Sequence, residues 1–278
     1  SKCLPQIIPV LQSAMTDSHQ KVAQSGEDAL MEIGNVVTNP EIKKINKEII
    51  DALADPTEKS AGALQALIDT EFEHEIDTSS LALIMPIVKK ALFQRSADVR
   101  RMAAGIIANM YKLTQTQDIL PYLEEIVPGI KKCIVDPVPD VRKSASKAIG
   151  AVVTGLKHNM QYTQALIDWL FEKLKSDETS VDRMGAAQSL SEVIYGDGED
   201  RLRAFMPVIL KYASDKTEKP YVRDGYSMLF IYLPKVFGDA FLPYVGEVIK
   251  PILSALADQT EYVRDTALKA GQVVVKQY

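Results

Sequence analysis

The chain has 278 residues, of which 46% are hydrophobic and 25% are charged, and its net charge is −5. This balance is typical of a folded protein and excludes wholesale disorder. The uninterrupted apolar runs are short, so we expect no segment to span a membrane. The two cysteines, Cys3 and Cys133, lie in separate apolar helical patterns, which favours reduced thiols and a cytoplasmic location.

In chain order, the sequence predicts a series of helical hairpins. Each hairpin has two amphipathic helices separated by a polar turn, and the second unit ends in an acidic connector from Asp69 to Ser80. Seven units are predicted, spanning residues 3–38, 41–78, 80–114, 119–157, 161–196, 202–238 and 241–278. A period near forty residues with two helices is typical of HEAT repeats. We therefore expect an all-α fold, an α-solenoid of about seven HEAT repeats.

Prolines recur in the first helices of these units. Pro86, Pro121, Pro207 and Pro243 each follow a methionine or leucine. We expect them in first helical turns, where the missing N–H has no intrahelical partner. Pro128 and Pro251 are expected deeper in their helices, where they would cause bends.

A valine close to an arginine opens the second helix of each unit from the third onward. The valines are Val99, Val141, Val181, Val222 and Val263, and they lie 42, 40, 41 and 41 residues apart. Spacings this regular favour stacked repeats over one closed domain.

An aspartate accompanies the arginine in most of these turns. The pairs are Asp136 with Arg142, Asp177 with Arg183, Asp215 with Arg223, and Asp258 with Arg264, while Arg100 faces Gln94. We expect each carboxylate to cap the second helix. We expect each arginine to bridge to a carboxylate of its own or the adjacent repeat. This arrangement predicts a structural ladder and no reactive site.

Basic residues are concentrated in the middle of the chain. Residues 86–157 carry 12 basic and 6 acidic side chains, whereas residues 1–85 carry 6 basic and 14 acidic ones. The candidates for contacts with structured RNA or a protein partner are Lys89, Lys90, Arg95, Arg101, Lys131, Lys132, Lys143 and Lys147. Amines and guanidinium groups bind phosphates without reading sequence. The alternative is that these residues form ordinary solvated helix faces.

Residue sets for catalysis or metal binding are missing from the sequence. His19, His74 and His158 lie in different units, and the residue four after His74 is Thr78. A zinc-protease motif needs a second histidine there. Glu71, Glu73, Glu75 and Asp77 alternate along the acidic connector, which is typical of a solvated loop. We expect no enzyme, no cofactor, no metal and no small-molecule substrate.

A family resemblance is carried by seven segments, namely Ser80–Val88, Asp136–Arg142, Ser180–Ala187, Val222–Phe230, Leu233–Asp239, Phe241–Val245 and Val263–Gly271. These segments resemble the central region of the general-control translational activators, the large eukaryotic proteins that activate the initiation factor 2 alpha kinase on the ribosome. Asp55–Glu58 and Ile106–Met110 also resemble the HEAT portion of fungal elongation factor 3.

This resemblance implies a non-enzymatic scaffold for amino-acid starvation signalling. Its implied partners are the ribosome, an ABC-F family ATPase and, through another region of the parent protein, the starvation-response kinase. The chain has no ATP-binding cassette, so the resemblance implies no ATPase activity. The alternative is a generic protein-binding scaffold of the transport-receptor or phosphatase-subunit kind.

Overall fold

A computed structural model describes residues 3–156 and 160–278, in which every regular element is a helix. The all-α prediction is therefore confirmed. By its internal contacts the chain divides into two compact units, residues 1–133 and 134–278. Each unit is described by itself below, and the division into seven repeats stays a prediction.

The first unit contains nine α-helices among its described residues. They are α1 (Leu4–Met15), α2 (Gln20–Asn35), α3 (Pro40–Lys44), α4 (Asn46–Ala54), α5 (Pro56–Asp69), α6 (Thr78–Ala91), α7 (Ala97–Met110), α8 (Thr116–Ile119) and α9 (Leu123–Ile134). Short 3₁₀ segments span Tyr111–Leu113 and Leu120–Tyr122. Helices α1 and α2, α4 and α5, and α6 and α7 pack as hairpins. Their buried faces carry fully enclosed aliphatic side chains such as Ile8, Leu30, Ile49, Leu64 and Leu81.

The second unit contains seven α-helices among its described residues. They are α10 (Pro139–Gly155), α11 (Met160–Leu174), α12 (Ser180–Asp197), α13 (Glu199–Ser214), α14 (Pro220–Phe237), α15 (Val245–Leu256) and α16 (Glu261–Gln277). A 3₁₀ segment, Gly238–Tyr244, leads into α15.

The second helices of the hairpins, α10, α12, α14 and α16, form one layer in this unit. Each packs against the next, and α12, α14 and α16 also pack against their hairpin partners α11, α13 and α15. Small side chains on the buried face, such as Ala145, Ala186 and Ala267, allow the helices to approach closely. Equivalent positions of successive second helices are therefore neighbours.

Two of the four prolines are not in the first turn of a helix. Pro86 and Pro207 lie well inside α6 and α13, because these helices start earlier than predicted. Helix α6 starts at Thr78, where the Asp77 carboxylate accepts from Ser79 N and Ser80 N. Pro121 and Pro243 lie in the 3₁₀ segments before α9 and α15. The expectation that Pro128 and Pro251 lie inside their helices is confirmed.

The acidic connector is held to the rest of the first unit at its C-terminal end. One Asp77 carboxylate oxygen accepts from Thr38 N at 3.1 Å and Asn39 N at 3.0 Å. Ile76 is fully buried, and its N–H donates to Leu113 O at 2.9 Å. The solvated-loop interpretation holds for the exposed Glu71, Glu73 and Glu75 and is wrong for residues 76 and 77.

The stretch Pro220–Leu256 is long and apolar enough to cross a membrane by length and composition alone. Uninterrupted apolar runs, on which the sequence-based expectation rested, did not single out this stretch. In the structure this stretch consists of α14, the 3₁₀ segment and the first part of the last hairpin. Gly238 interrupts it with φ +54, and α14 carries the buried Arg223 and Asp224 in ion pairs. These features are those of a core helix, which passes the same test.

Candidate binding surfaces

Five arginines occupy the fourth position of the second helices. They are the turn arginines Arg100, Arg142, Arg183, Arg223 and Arg264. Each guanidinium donates to main-chain carbonyls of its own hairpin turn. Arg142 donates to Asp136 O at 2.6 Å, and Arg264 donates to Asp258 O at 2.8 Å. Arg100 donates in the same way to Gln94 O at 2.8 Å.

Carboxylate partners of the turn arginines come from the next hairpin. Arg183 Nε lies 2.8 Å from Asp224 Oδ2, and Arg223 binds both carboxylate oxygens of Asp258 at 2.9–3.2 Å. Arg142 instead donates to Met184 Sδ at 3.4 Å, at the helix position that Asp224 occupies in α14. Arg183 and Arg223 therefore bridge to a carboxylate of the next hairpin, whereas Arg142 and Arg264 bind main-chain oxygens of their own turn aspartates.

The turn aspartates do not cap the helices as expected. Asp136, Asp215 and Asp258 each accept from the main-chain N–H two residues later, at 2.9 Å, which lies before the helix begins. This is an Asx turn, which fixes the hairpin geometry. Near Asp177 the cap of α12 is Thr179, whose hydroxyl accepts from Asp182 N at 3.1 Å.

Asp224 was missed by sequence reasoning and joins three second helices. One oxygen binds Arg183 of α12, and the other accepts from the Thr266 hydroxyl of α16 at 2.6 Å. Burial raises the pKa of Asp224, although the bonds to Thr266 and Arg183 act in the opposite direction. At Asp258, burial also acts to raise the pKa, but bonds from Thr260 and Arg223 outweigh it and lower the pKa. Aligning the second helices on their turn arginines would have drawn attention to Asp224, because it directly follows the turn arginine Arg223.

The predicted basic residues of the first unit lie at several separate places. Lys89 and Lys90 are in the last turn of α6, where Lys89 pairs with Glu125 at 2.6 Å and Lys90 is exposed. Arg95 is exposed in the turn after α6, and Arg101 lies 3.5 Å from Asp98. Lys131 and Lys132 are in the last turn of α9, and the Lys132 amine lies 5.5 Å from the centre of the Phe93 ring. These six residues therefore lie at the ends of α6 and α9 and in the turn and helix that follow α6.

In the second unit, Lys143 and Lys147 line a groove across the layer of second helices. This α10–α14 groove has a volume of about 520 Å³ and is lined by Lys143, Lys147, Gln188, Glu192, Tyr195, Tyr232, Lys235 and Val236. Tyr195 is 54% exposed, and the Lys235 amine lies 5.7 Å from the centre of the Tyr232 ring. Burial raises the pKa of Tyr232, although the nearby Arg142 charge acts to lower it.

Sequence reasoning missed Lys235, Tyr195 and Tyr232 as part of this groove. Counted from the helix starts, Tyr195 and Lys235 occupy the same position in α12 and α14. Aligning the second helices on their turn arginines would therefore have predicted that Tyr195 and Lys235 are neighbours.

The described residues include no cluster of three or more His, Cys, Asp or Glu side chains that fits a metal ion. His74 Nδ1 lies 2.6 Å from Glu41 Oε1, and His19 is exposed at the start of α2. Hydrogen bonds from His74 and Asn39 outweigh the opposing effect of burial and lower the pKa of Glu41. His158 lies outside the described residues. The histidines that are described have no shared site.

Comparison with known proteins supports the HEAT assignment. Residues 59–163 match the family profile described as "Elongation factor 3/GNC1 HEAT repeat". The whole chain is 52% identical to "Stalled ribosome sensor GCN1" of Homo sapiens and 41% identical to "eIF-2-alpha kinase activator GCN1" of Saccharomyces cerevisiae. It spans 10% of the length of each. "Elongation factor 3" of Eremothecium gossypii is 33% identical over 48% of this chain and 13% of its own length. The predicted HEAT solenoid and the predicted resemblance are both confirmed.

Proposed function

We propose that this chain, which is similar along its whole length to the GCN1 proteins, is a non-catalytic scaffold that docks a translational activator on the ribosome. Two relatives carry the names of a stalled-ribosome sensor and a kinase activator, and a ribosome-docking role is compatible with both names. A cytoplasmic location belongs to the same proposal.

The observation that carries the proposal is the combination of amines and aromatic rings in the α10–α14 groove. Lys143 and Lys147 are exposed on α10, and Lys235 contributes a third amine beside the Tyr232 ring. Ribosomal RNA offers phosphates for the amines. Its unpaired bases can stack on a ring as exposed as that of Tyr195.

The finer parts of the proposal concern protein partners. We assign the docking of an ABC-F family ATPase to this HEAT array, and stimulation of the starvation-response kinase to another region of the parent protein. Both assignments follow from the resemblance to the translational activators. A generic transport-receptor or phosphatase-type scaffold would bind its protein partner without any contribution from RNA.

Cosedimentation with purified ribosomes tests the docking role. The double variant Lys143→Glu/Lys147→Glu is expected to weaken binding by roughly tenfold or more and to reduce its salt dependence by about two phosphate contacts. Lys131→Glu/Lys132→Glu tests the second predicted pair. The matched control is Lys43→Glu/Lys47→Glu, which reverses two exposed lysines with the same spacing and is expected to bind as the unmodified chain does.

Equal cosedimentation of the Lys143/Lys147 variant and the control would refute docking through the α10–α14 groove. Pull-down of the ABC-F ATPase with and without ribonuclease separates the remaining alternatives. Binding that ignores RNA removal and both charge reversals would favour the generic protein scaffold.

A further inference from the structure

The series of turn arginines leaves one donor edge open at its last member. Arg223 uses Nη1 for the main chain of its own turn, and Nε and Nη2 for the Asp258 carboxylate of the next hairpin. Arg264 uses Nη1 in the same way, for Asp258 O and Gln259 O at 2.8 and 2.9 Å. Among the described residues, no carboxylate pairs with Nε and Nη2 of Arg264. By comparison with Arg223, this edge faces the place that the turn aspartate of a further hairpin would take.

Asp17, in the turn between α1 and α2, is a carboxylate of the matching kind. It lies three residues before the start of α2, as Asp258 lies three residues before the start of α16. Each accepts from the main-chain N–H two residues later, at 2.7 Å for Asp17 and 2.9 Å for Asp258. Asp17 therefore has the Asx-turn geometry of the aspartate that Arg223 binds. Its side chain is exposed, and no arginine or lysine of the described chain pairs with it.

Exposed apolar side chains accompany both of these groups. In the last hairpin, Leu256, Leu268 and Val275 line the depression between α15 and α16. In the first hairpin, Val10 of α1 and Met31 of α2 are exposed. A hairpin that ends a stacked array needs a polar outer face for solubility. Apolar outer faces indicate instead that both hairpins can take a further neighbour.

We propose that copies of this chain associate head to tail, with the α1–α2 hairpin of one copy stacked on the α15–α16 hairpin of the next. Asp17 of one copy then pairs with Arg264 of the other, as Asp258 pairs with Arg223 within the chain. The stacking repeats that of α16 on α14 in the second unit.

A second copy fits this surface because its first hairpin carries the carboxylate and the apolar side chains together. A flexible acidic peptide lacks the apolar helix face, and RNA offers phosphates but nothing that fills an apolar depression. Each copy uses two different surfaces, so the association produces rings or open arrays and no contact between like surfaces. The inference goes beyond ribosome docking, since it concerns other residues and another class of partner.

Sedimentation velocity of two charge-reversal variants tests the proposal. Asp17→Arg and Arg264→Asp each place like charges across the contact, so each is expected to weaken self-association by roughly tenfold or more. An equimolar mixture of the two variants is expected to restore association, because every contact between unlike copies then joins opposite charges. Circular dichroism of each variant checks its folding, since Arg264 also binds its own turn.

The matched controls are Asp200→Arg and Arg203→Asp, which reverse the charges of an exposed ion pair within α13. Both are expected to associate as the unmodified chain does. Unchanged association of Asp17→Arg would overturn the proposal, and this result is decisive even if Arg264→Asp does not fold. A mixture of two folded variants that stays monomeric would also overturn it. Ribosome cosedimentation of Asp17→Arg is expected to be unchanged, so this proposal and ribosome docking can fail independently.

Discussion

Asp224 shows how one residue can join three consecutive second helices. It is fully buried and binds Arg183 of the preceding helix and Thr266 of the following helix. Arg183 is itself 4% exposed and lies with its guanidinium 5.3 Å from the centre of the Tyr262 ring. A buried ion pair gains little over an apolar pair, but removal of one partner leaves the other charge buried and uncompensated.

We therefore expect Asp224→Ala to lower the free energy of unfolding by about 3–5 kcal/mol. The measurement is urea unfolding followed by the fluorescence of Trp169, the single tryptophan, which lies in α11 of the same unit. Asp265→Ala is the matched control, because Asp265 follows Arg264 at the equivalent position of α16 and is exposed. A change below about 0.5 kcal/mol is expected for it. Similar losses of stability for both variants would show that the Arg183–Asp224 pair contributes no more to the free energy of unfolding than an exposed aspartate does.

Asp77 is the corresponding polar centre of the first unit. Partial burial acts to raise the pKa of Asp77, but bonds from Ser80, Asn39 and Thr38 outweigh it and lower the pKa from 3.8 to about 2. A carboxylate whose pKa is lowered on folding stabilises the folded state above its unfolded pKa. This stabilisation is lost as the pH falls from about 4 to about 2.

Asp77→Asn is accordingly expected to lower stability by about 1 kcal/mol at neutral pH, a figure reduced for solvent screening at this half-exposed site. The difference from the unmodified chain should shrink as the pH falls from about 4 to about 2. Urea unfolding followed by circular dichroism across this range measures it. Glu73→Gln, at an exposed position of the same connector, should show little difference at any pH. A constant difference for Asp77→Asn down to the lowest pH would contradict the assigned ionisation.

At the scale of elements, the period of the sequence predicted the helices but not their register in every unit. Aligning the repeats on their valines makes Val181 equivalent to Val141 and Val263. The side chain of Val181 is only half-buried, however, whereas those of the other two are enclosed. Counted from the arginines, Asp182 occupies the valine position of α12. It is accommodated because Lys173 and the Thr179 hydroxyl bind its carboxylate at 3.0 and 2.8 Å. Such compensation comes from tertiary contacts, which a periodic pattern does not contain.

Two glycines share the sixth position of their helices for a steric reason. A Cβ on Gly185 would lie 1.8 Å from Ile134 O, and one on Gly225 would lie 1.9 Å from Leu174 O. In both places the second helix of a hairpin contacts the main-chain carbonyl of the last residue of an earlier helix: α12 contacts α9, and α14 contacts α11. The contacted atom is main chain and cannot rotate away, so an added methyl group must displace a helix.

Gly185→Ala and Gly225→Ala are each expected to lower stability by about 1–3 kcal/mol or more, despite the better helix propensity of alanine. Thermal unfolding monitored by circular dichroism is a suitable measurement. Gly246→Ala in α15 is the control, because its methyl group would point into open space and meet no other part of the structure. It should be neutral or stabilising by up to about 1 kcal/mol. Stabilisation by Gly185→Ala would contradict the close helix contact.

At the scale of the whole molecule, the class of fold was predictable and the binding surfaces were predictable only in part. The concentration of basic residues is visible in the sequence, and it includes Lys143 and Lys147, which line the α10–α14 groove. The groove also depends on Tyr195, Tyr232 and Lys235, which lie outside the basic segment and become neighbours only when the helices stack.

The last hairpin of the second unit exposes an apolar surface that bears on the behaviour of the molecule in solution. A depression of about 350 Å³ between α15 and α16 is lined by Leu256, Leu268 and Val275, and Leu268 and Val275 are 53% and 82% exposed. Contiguous apolar surface of this kind favours contact with another apolar surface.

A second copy of the chain supplies such a surface, so we expect reversible self-association as the concentration rises from micromolar to millimolar. Sedimentation velocity measures it, and Leu268→Lys/Val275→Lys should keep the chain monomeric. Leu120→Lys/Leu242→Lys, which changes two exposed leucines elsewhere, should associate as the unmodified chain does. A monomer at every concentration, or equal association of both variants, would contradict the prediction.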